Sequence, residues 1–198
     1  MYVPDYFSPP NEAALVELVR SYPFGTLVTG DLQASHIPFL LQEKGDGLVL
    51  CGHVAKANPH WQAFDGTCPA LAMVQGPDGY ISPSWGDCSK LVPTWNYMVV
   101  HARGVPSVVE ARADTVRLLH QMTEVHEAKE PVPWVIGDLE AEKLEQLLDA
   151  LVVFEMPVTS LEGKWKLSQN REAADKAAFV KAVLARGDID LAKAMKEA

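Results

Sequence analysis

The chain of 198 residues carries only three cysteines, Cys51, Cys68 and Cys88, widely spaced and without a Cys-x-x-Cys pair. Neither a disulfide framework nor a thiol redox motif is indicated, and the three are read as reduced and structural. Cations are also scarce: 17 Lys and Arg stand against 26 Asp and Glu, a formal net charge of -9. Neutralising nucleic-acid phosphates needs clustered Lys and Arg, so direct DNA binding is disfavoured, though it stays open. No apolar run reaches the length of a bilayer span, and residues 1–20 have neither a basic start nor a hydrophobic signal core. A cytoplasmic location without membrane association is the resulting expectation.

Several catalytic signatures are missing as well. No Gly-x-Gly-x-x-Gly opens a helix, which argues against a doubly wound nucleotide fold. Gly-x-Ser-x-Gly and Ser-x-x-Lys are absent, and no Cys sits beside an evident base, so no residue is nominated as a hydrolase nucleophile. His53, His60 and His101 lack metal-ligand spacing, and His126-Glu127 has no second histidine four residues on. No metal is expected.

What is present reads as one folded domain over 1–198. Hydrophobic residues at 48% and charged residues at 22% allow a sizeable core. Ser8-Pro9-Pro10 before Asn11-Glu12 predicts a helix to about Ser21, with Ser8 as cap hydroxyl and Leu15, Leu18, Val19 and Tyr22 as its apolar face. Strands are predicted over 24–29, 35–41 and 48–54, a short helix from Asn58-Pro59 through Phe64, and a strand over 69–74. Gly76-Pro77-Asp78-Gly79 reads as a turn and Tyr80-Ile81-Ser82 as resumed extended chain. A loop over 85–91 leads to a long strand over 94–109, bent at Gly104 and Pro106. Amphipathic helices follow over 112–126 and 139–148, the second capped by Asp138, then a strand over 152–159 and a helix over 172–186. About six strands joined by short turns, with helices at the start, middle and end, predict a mainly β, α+β fold: a small antiparallel barrel with flanking helices.

Four blocks mix aromatics, amides, hydroxyls and cations, a composition that suits a flat ring with a phosphate tail better than a core. In His53-Val54-Ala55-Lys56-Ala57-Asn58-Pro59, Lys56 lies before a helix start that favours an anion; equally, Lys56 is a surface lysine and Asn58 merely a cap. Ser82-Pro83-Ser84-Trp85 aims two hydroxyls beside an aromatic, or is simply a turn. In Thr94-Trp95-Asn96-Tyr97, an extended chain puts Thr94 and Asn96 on one face and Trp95 and Tyr97 on the other, as a ring-binding surface or as barrel core. Lys164-Trp165-Lys166-Leu167-Ser168 alternates like a strand, with Gln169, Asn170 and Arg171 before a helix: a ligand or partner contact, or a solvated edge.

Taken with Pro38-Phe39-Leu40-Leu41 and Val100-His101-Ala102, these blocks resemble the PaiB family of FMN-binding negative transcriptional regulators, over nearly the whole chain. The resemblance implies an antiparallel six-stranded FMN-binding split barrel acting as a homodimer, with FMN at the interface. It assigns the phosphate to Lys56, helped by Ser82, Ser84 or Thr94. Trp95, Asn96 and Tyr97 would border the isoalloxazine, with Lys166, Ser168, Gln169 and Asn170 supplied by the partner. The family pattern continues Ser-Pro-Ser-Trp with tyrosine and a longer insert, whereas Gly86 follows Trp85 here, which predicts an incomplete aromatic lid and weaker retention of flavin.

The sequence is compatible with three functions. A flavin-binding regulator has the resemblance behind it, with Lys164, Lys166 and Arg171 as a local basic strip. An FMN-dependent oxidoreductase would leave the chemistry to the cofactor. A split barrel binding haem or another ring would use His53 or His101 as axial ligand.

Overall fold

The computed structural model describes residues 1–87 and 89–198; Cys88, and with it part of the loop expected over 85–91, lies outside the described residues. Among the described residues eight strands are formed: β1 (Phe24–Thr29), β2 (Ala34–Pro38), β3 (Leu40–Lys44), β4 (Gly47–Ala55), β5 (Ala70–Ile81), β6 (Thr94–Gly104), β7 (Ser107–Val108) and β8 (Leu151–Lys166). They follow the order β2-β1-β5-β6-β8-β4-β3, with β7 on β8. Five α-helices accompany them among the described residues: α1 (Glu12–Ser21), α2 (Arg112–Glu127), α3 (Ala141–Asp149), α4 (Ala173–Ala185) and α5 (Ile189–Glu197). None is long and apolar enough to cross a membrane. The mainly antiparallel sheet with flanking helices matches the expected class, with eight strands rather than six.

The chain divides into two compact units. The first comprises residues 1–22, 73–101 and 161–198; the second comprises 23–72 and 102–160.

In the second unit, β1 pairs antiparallel with β2 from Phe24↔Pro38 to Val28↔Ala34, and β3 pairs with β4 from Leu40↔Cys51 to Lys44↔Gly47. The single strand expected over 35–41 is therefore two. Pro38 has no N–H to continue a ladder, and Phe39 donates instead to the Pro23 carbonyl (2.8 Å) before the chain changes partner. β4 continues against β8 from Val49↔Pro157 to Ala55↔Leu151. Its alternation puts Val49 and Cys51 with Val153 beneath Leu118 of α2. Burial among these apolar groups pushes the Cys51 thiol up to about 12, so it is an inert core group. Asp138 does not cap α3: it lies in a 3-10 turn over Ile136–Asp138, and the cap position falls on Glu140, which makes no side-chain bond.

In the first unit, α1 is capped by Asn11, whose side chain accepts from the Ala14 N–H (2.9 Å), and not by Ser8. Leu15, Leu18 and Val19 are its buried face. The expected turn over 76–79 is absent: β5 runs straight through it. A Cβ on Gly76 would stand 2.6 Å from Leu18 Cδ1, and one on Gly79 would stand 2.7 Å from Leu191 Cδ2. These glycines serve close approach of helix side chains to a strand rather than a reversal. β8 likewise outruns the 152–159 prediction and absorbs the alternating Lys164–Lys166 segment. α5 was not anticipated, because the 172–186 helix ends at Gly187 (φ +90°) and the following stretch is short.

Candidate functional site

Ten of the eleven nominated residues belong to the first unit, and Lys56 belongs to the second. Within the first unit, strands β6 and β8 bring two pairs together across 72 residues of sequence. Lys166 Nζ donates to Thr94 Oγ1. Asn96 Nδ2 donates to Ser168 Oγ (2.9 Å), which also lies 3.2 Å from Asn96 Oδ1. Asn96 and Ser168 are 1% and 4% exposed, so this pair is a buried polar lock.

Ser168 departs from the alternation expected of it. β8 ends at Lys166, and Ser168 takes φ +66°, a left-handed conformation unusual for a residue with a side chain. Gln169 closes that turn: its Oε1 accepts from the Leu167 N–H and its Nε2 donates to the Trp165 carbonyl, both at 2.7 Å. Asn96, Ser168 and Gln169 thus spend their side-chain hydrogen bonds within the protein. Asn170 is exposed and open to other partners.

Lys166 is partly buried, and its pKa is lowered, first by that burial and then by the charges of Lys164 and Arg171. Among the described residues neither Lys166 nor Arg171 forms an ion pair with a carboxylate. Three cations repelling one another in a chain of net charge -9 form a site that an anion would relieve. Lys164 is held by aromatic faces, its Nζ lying 5.4 Å from the Tyr2 ring centre, 5.7 Å from Phe7 and 5.8 Å from Tyr97.

An aromatic surface is built in the same unit. Tyr80 stands edge-on to Trp85 (6.5 Å) and to Trp95 (6.2 Å), and Trp95 is 54% exposed. Arg186 stacks over Trp85 at 4.8 Å. Ser82 and Ser84 bond each other (2.7 Å), with Ser82 Oγ also capping the Ser84 N–H (3.2 Å). Gly86 admits Asp175 from α4, whose Oδ1 accepts the Asp87 N–H at 3.1 Å; a tyrosine at this position would meet that carboxylate. Sequence reasoning missed Tyr80 and Arg186. Tyr80 was read as extended chain leading into the Ser82-Pro83-Ser84-Trp85 block and given no site role, and Arg186 only as a charge ending a helix.

In the second unit the Lys56 side chain is exposed, while its N–H donates to Ala150 O (2.8 Å) and its carbonyl accepts Trp61 Nε1 (2.9 Å). The helix after it is a 3-10 segment of five residues, Pro59–Ala63, whose cap Asn58 accepts the His60 N–H (3.1 Å). Asn58 Nδ2 also donates to Ser35 Oγ (3.0 Å). His60, 1% exposed, lies between Thr29 Oγ1 at Nε2 and Ser35 Oγ at Nδ1, each 2.8 Å away. The Thr29 hydroxyl gives its single proton to Asp31 (2.6 Å). It therefore accepts from His60 Nε2–H, and Nδ1 accepts from Ser35. This run fixes a neutral tautomer and pins the segment from which Lys56 projects.

The fit to a phosphorylated ring is positive on these observations: the Thr94 hydroxyl beside Lys166, and cations without a carboxylate partner among the described residues, suit a phosphate, and exposed indole and phenol faces suit a planar ring. The family model described as "Putative FMN-binding domain" matches residues 1–160. Among curated proteins the chain is 36% identical over 178 residues to "Protease synthase and sporulation protein PAI 2" of Bacillus subtilis, covering 88% of this chain and 85% of that one. It is also 29% identical over 158 residues to a yeast protein, YKL070W of Saccharomyces cerevisiae, covering 66% and 93%. Solved structures that share the fold include the following two. The flavocytochrome Anf3 of Azotobacter vinelandii has a TM-score of 0.63 at 14% identity, covering 89% and 78%. A FAD and haem binding protein of Mycobacterium smegmatis has a TM-score of 0.63 at 18% identity, covering 86% and 79%. With the family model spanning most of the chain and PAI 2 aligned along nearly all of it, the chain belongs to the family described as "Putative FMN-binding domain" and is a relative of PAI 2.

Proposed function

We propose that the protein binds FMN as a homodimer and serves as a flavin-responsive regulator. The observation that carries the reading is the cation group at the end of β8, Lys164, Lys166 and Arg171, with Lys166 engaged to Thr94 and without a carboxylate partner among the described residues. Lys166 and Thr94 of the first unit would hold the phosphate; Lys56, in the second unit, is a separate candidate for an anion. Trp95, Tyr97 and the serines of Ser82-Pro83-Ser84 would border the ring, and Asn170 would meet the ligand or the partner subunit. Asn96, Ser168 and Gln169 act as the frame that keeps β6 and β8 in register. Bound FMN would supply one- or two-electron redox chemistry at its ring system; the protein's part is to bind and orient it.

Regulation through direct DNA contact has little support. The basic strip is short, Lys164 is taken up by three aromatic rings, and the chain is acidic overall. We therefore place regulation in the response of a partner protein to the flavin-loaded dimer. Titrating the apoprotein with FMN and following quenching of flavin fluorescence tests the reading. Saturation at one flavin per chain is expected, and no quenching at micromolar protein would refute it.

A further inference from the structure

A cleft of about 700 Å³ opens in the first unit between α1, α5 and the end of β8. Each helix lines it with residues at helical spacing: Ala14, Glu17, Leu18 and Ser21 from α1, and Asp190, Lys193, Ala194 and Glu197 from α5. The floor is apolar, made by Trp165, Leu167, Met98 and Pro77. Trp165 faces this cleft, so its neighbours Lys164 and Lys166 project from the opposite face of β8. The cleft is thus distinct from the cation group assigned to the cofactor.

The rim carries charge of mainly one sign. Glu17, Asp190 and Glu197 face one cation, Lys193. Glu17 uses Oε1 to accept from Ser21 (2.7 Å), and Asp190 uses Oδ2 to accept from the Tyr22 hydroxyl (3.4 Å), leaving each carboxylate an oxygen for another donor. Burial, and then the Asp190 charge, raises the Tyr22 pKa and keeps that hydroxyl a donor. A volume of this size with an apolar base and a few converging polar groups is the ordinary form of a small-molecule site.

We propose that this cleft binds an organic monoamine with an apolar, preferably aromatic, body: the ammonium at the Glu17 and Asp190 rim, the body on Trp165 and Met98. Gln169 lines the same cleft while closing the Ser168 turn that meets Asn96. The amine therefore touches the residue that orders the far side of β8. Coupling of amine to FMN rests on the function proposed above; amine binding itself does not.

The test is calorimetry on FMN-free protein with three probes of one shape: phenethylamine, 3-phenylpropionate and 2-phenylethanol. The amine is expected to bind saturably, at least tenfold tighter than the carboxylate, with the alcohol between them. Glu17→Gln with Asp190→Asn, both on exposed positions, should weaken the amine at least fivefold and leave the alcohol unchanged, whereas Lys193→Ala should tighten the amine. Equal binding of amine and carboxylate, an unaltered amine affinity in the double variant, or amine binding seen only when a dimer is diluted apart would overturn the proposal. The last result would assign the cleft to a second copy of the chain. Because no flavin is present, failure here leaves the FMN reading standing, and failure of FMN titration leaves this one standing.

Discussion

Asn96 of β6 and Ser168, 72 positions later, share a hydrogen-bonded contact in which both side chains are almost wholly buried. Removing one partner leaves the other's polar group without water or a substitute, which costs about 1–3 kcal/mol. Asn96→Ala is therefore expected to lower unfolding free energy by about that amount in urea titrations without FMN. Ser168→Ala should cost a similar amount, and the double variant less than the sum, since the pair acts as a unit. Strictly additive losses would show the contact to be incidental.

How much of this was legible beforehand depends on what decides each feature. The β4 strand and the 112–126 helix were readable because alternation and helical spacing are local properties. Gly76-Pro77-Asp78-Gly79 has turn composition, yet its glycines answer to Leu18 and Leu191, partners that no local pattern reveals. The Thr94 to Tyr97 and Lys164 to Asn170 blocks were marked by composition, and Lys166 does meet Thr94. That Asn96, Ser168 and Gln169 turn inward was not readable, because it follows from a left-handed residue and a side chain closing on its own backbone.

Lys166 and Lys56 separate two ways of holding a phosphate. Losing a charged hydrogen bond to an anion costs about 1.5–3 kcal/mol, so Lys166→Ala should weaken FMN roughly tenfold to a hundredfold in fluorescence titrations. Lys56→Ala is expected to weaken it by on the order of 1 to 3 kcal/mol. Both effects should shrink as salt rises. Unchanged affinity in either variant removes that lysine from the site; riboflavin, which lacks the phosphate, should be indifferent to both.

His60 and His53 set a pH dependence. Burial lowers both pKa values below the ordinary 6.5, with Asp31 opposing this at His60; the buried Nδ1 of His53 has no hydrogen-bond partner among the described residues. Between the folded and unfolded values the unfolded chain binds more protons, so stability rises with pH there. The contribution is complete above about 6.5 and is lost as pH falls toward the folded values. Urea midpoints should drop from pH 7.5 to 5, and His60→Gln, which keeps a donor and an acceptor, should flatten part of that slope. A midpoint rising toward pH 5 would contradict the neutral tautomer.

Two glycines of the second unit give opposite expectations for the same substitution. At Gly104, where β6 ends, an added Cβ would run into the Pro157 carbonyl oxygen and stand 2.7 Å from Met156 Cγ. The first obstacle is backbone, which cannot rotate aside, so Gly104→Ala should cost about 1–3 kcal/mol or more through strain between neighbouring strands. At Gly137, within the 3-10 turn over Ile136–Asp138, a Cβ meets nothing within 4 Å, and φ is not positive. There the restriction of the unfolded chain acts alone, and Gly137→Ala should stabilise by about 0.4–1 kcal/mol. Parallel melts of the two variants provide the check: a neutral Gly104→Ala would mean that β6 and β8 part more readily than their packing indicates.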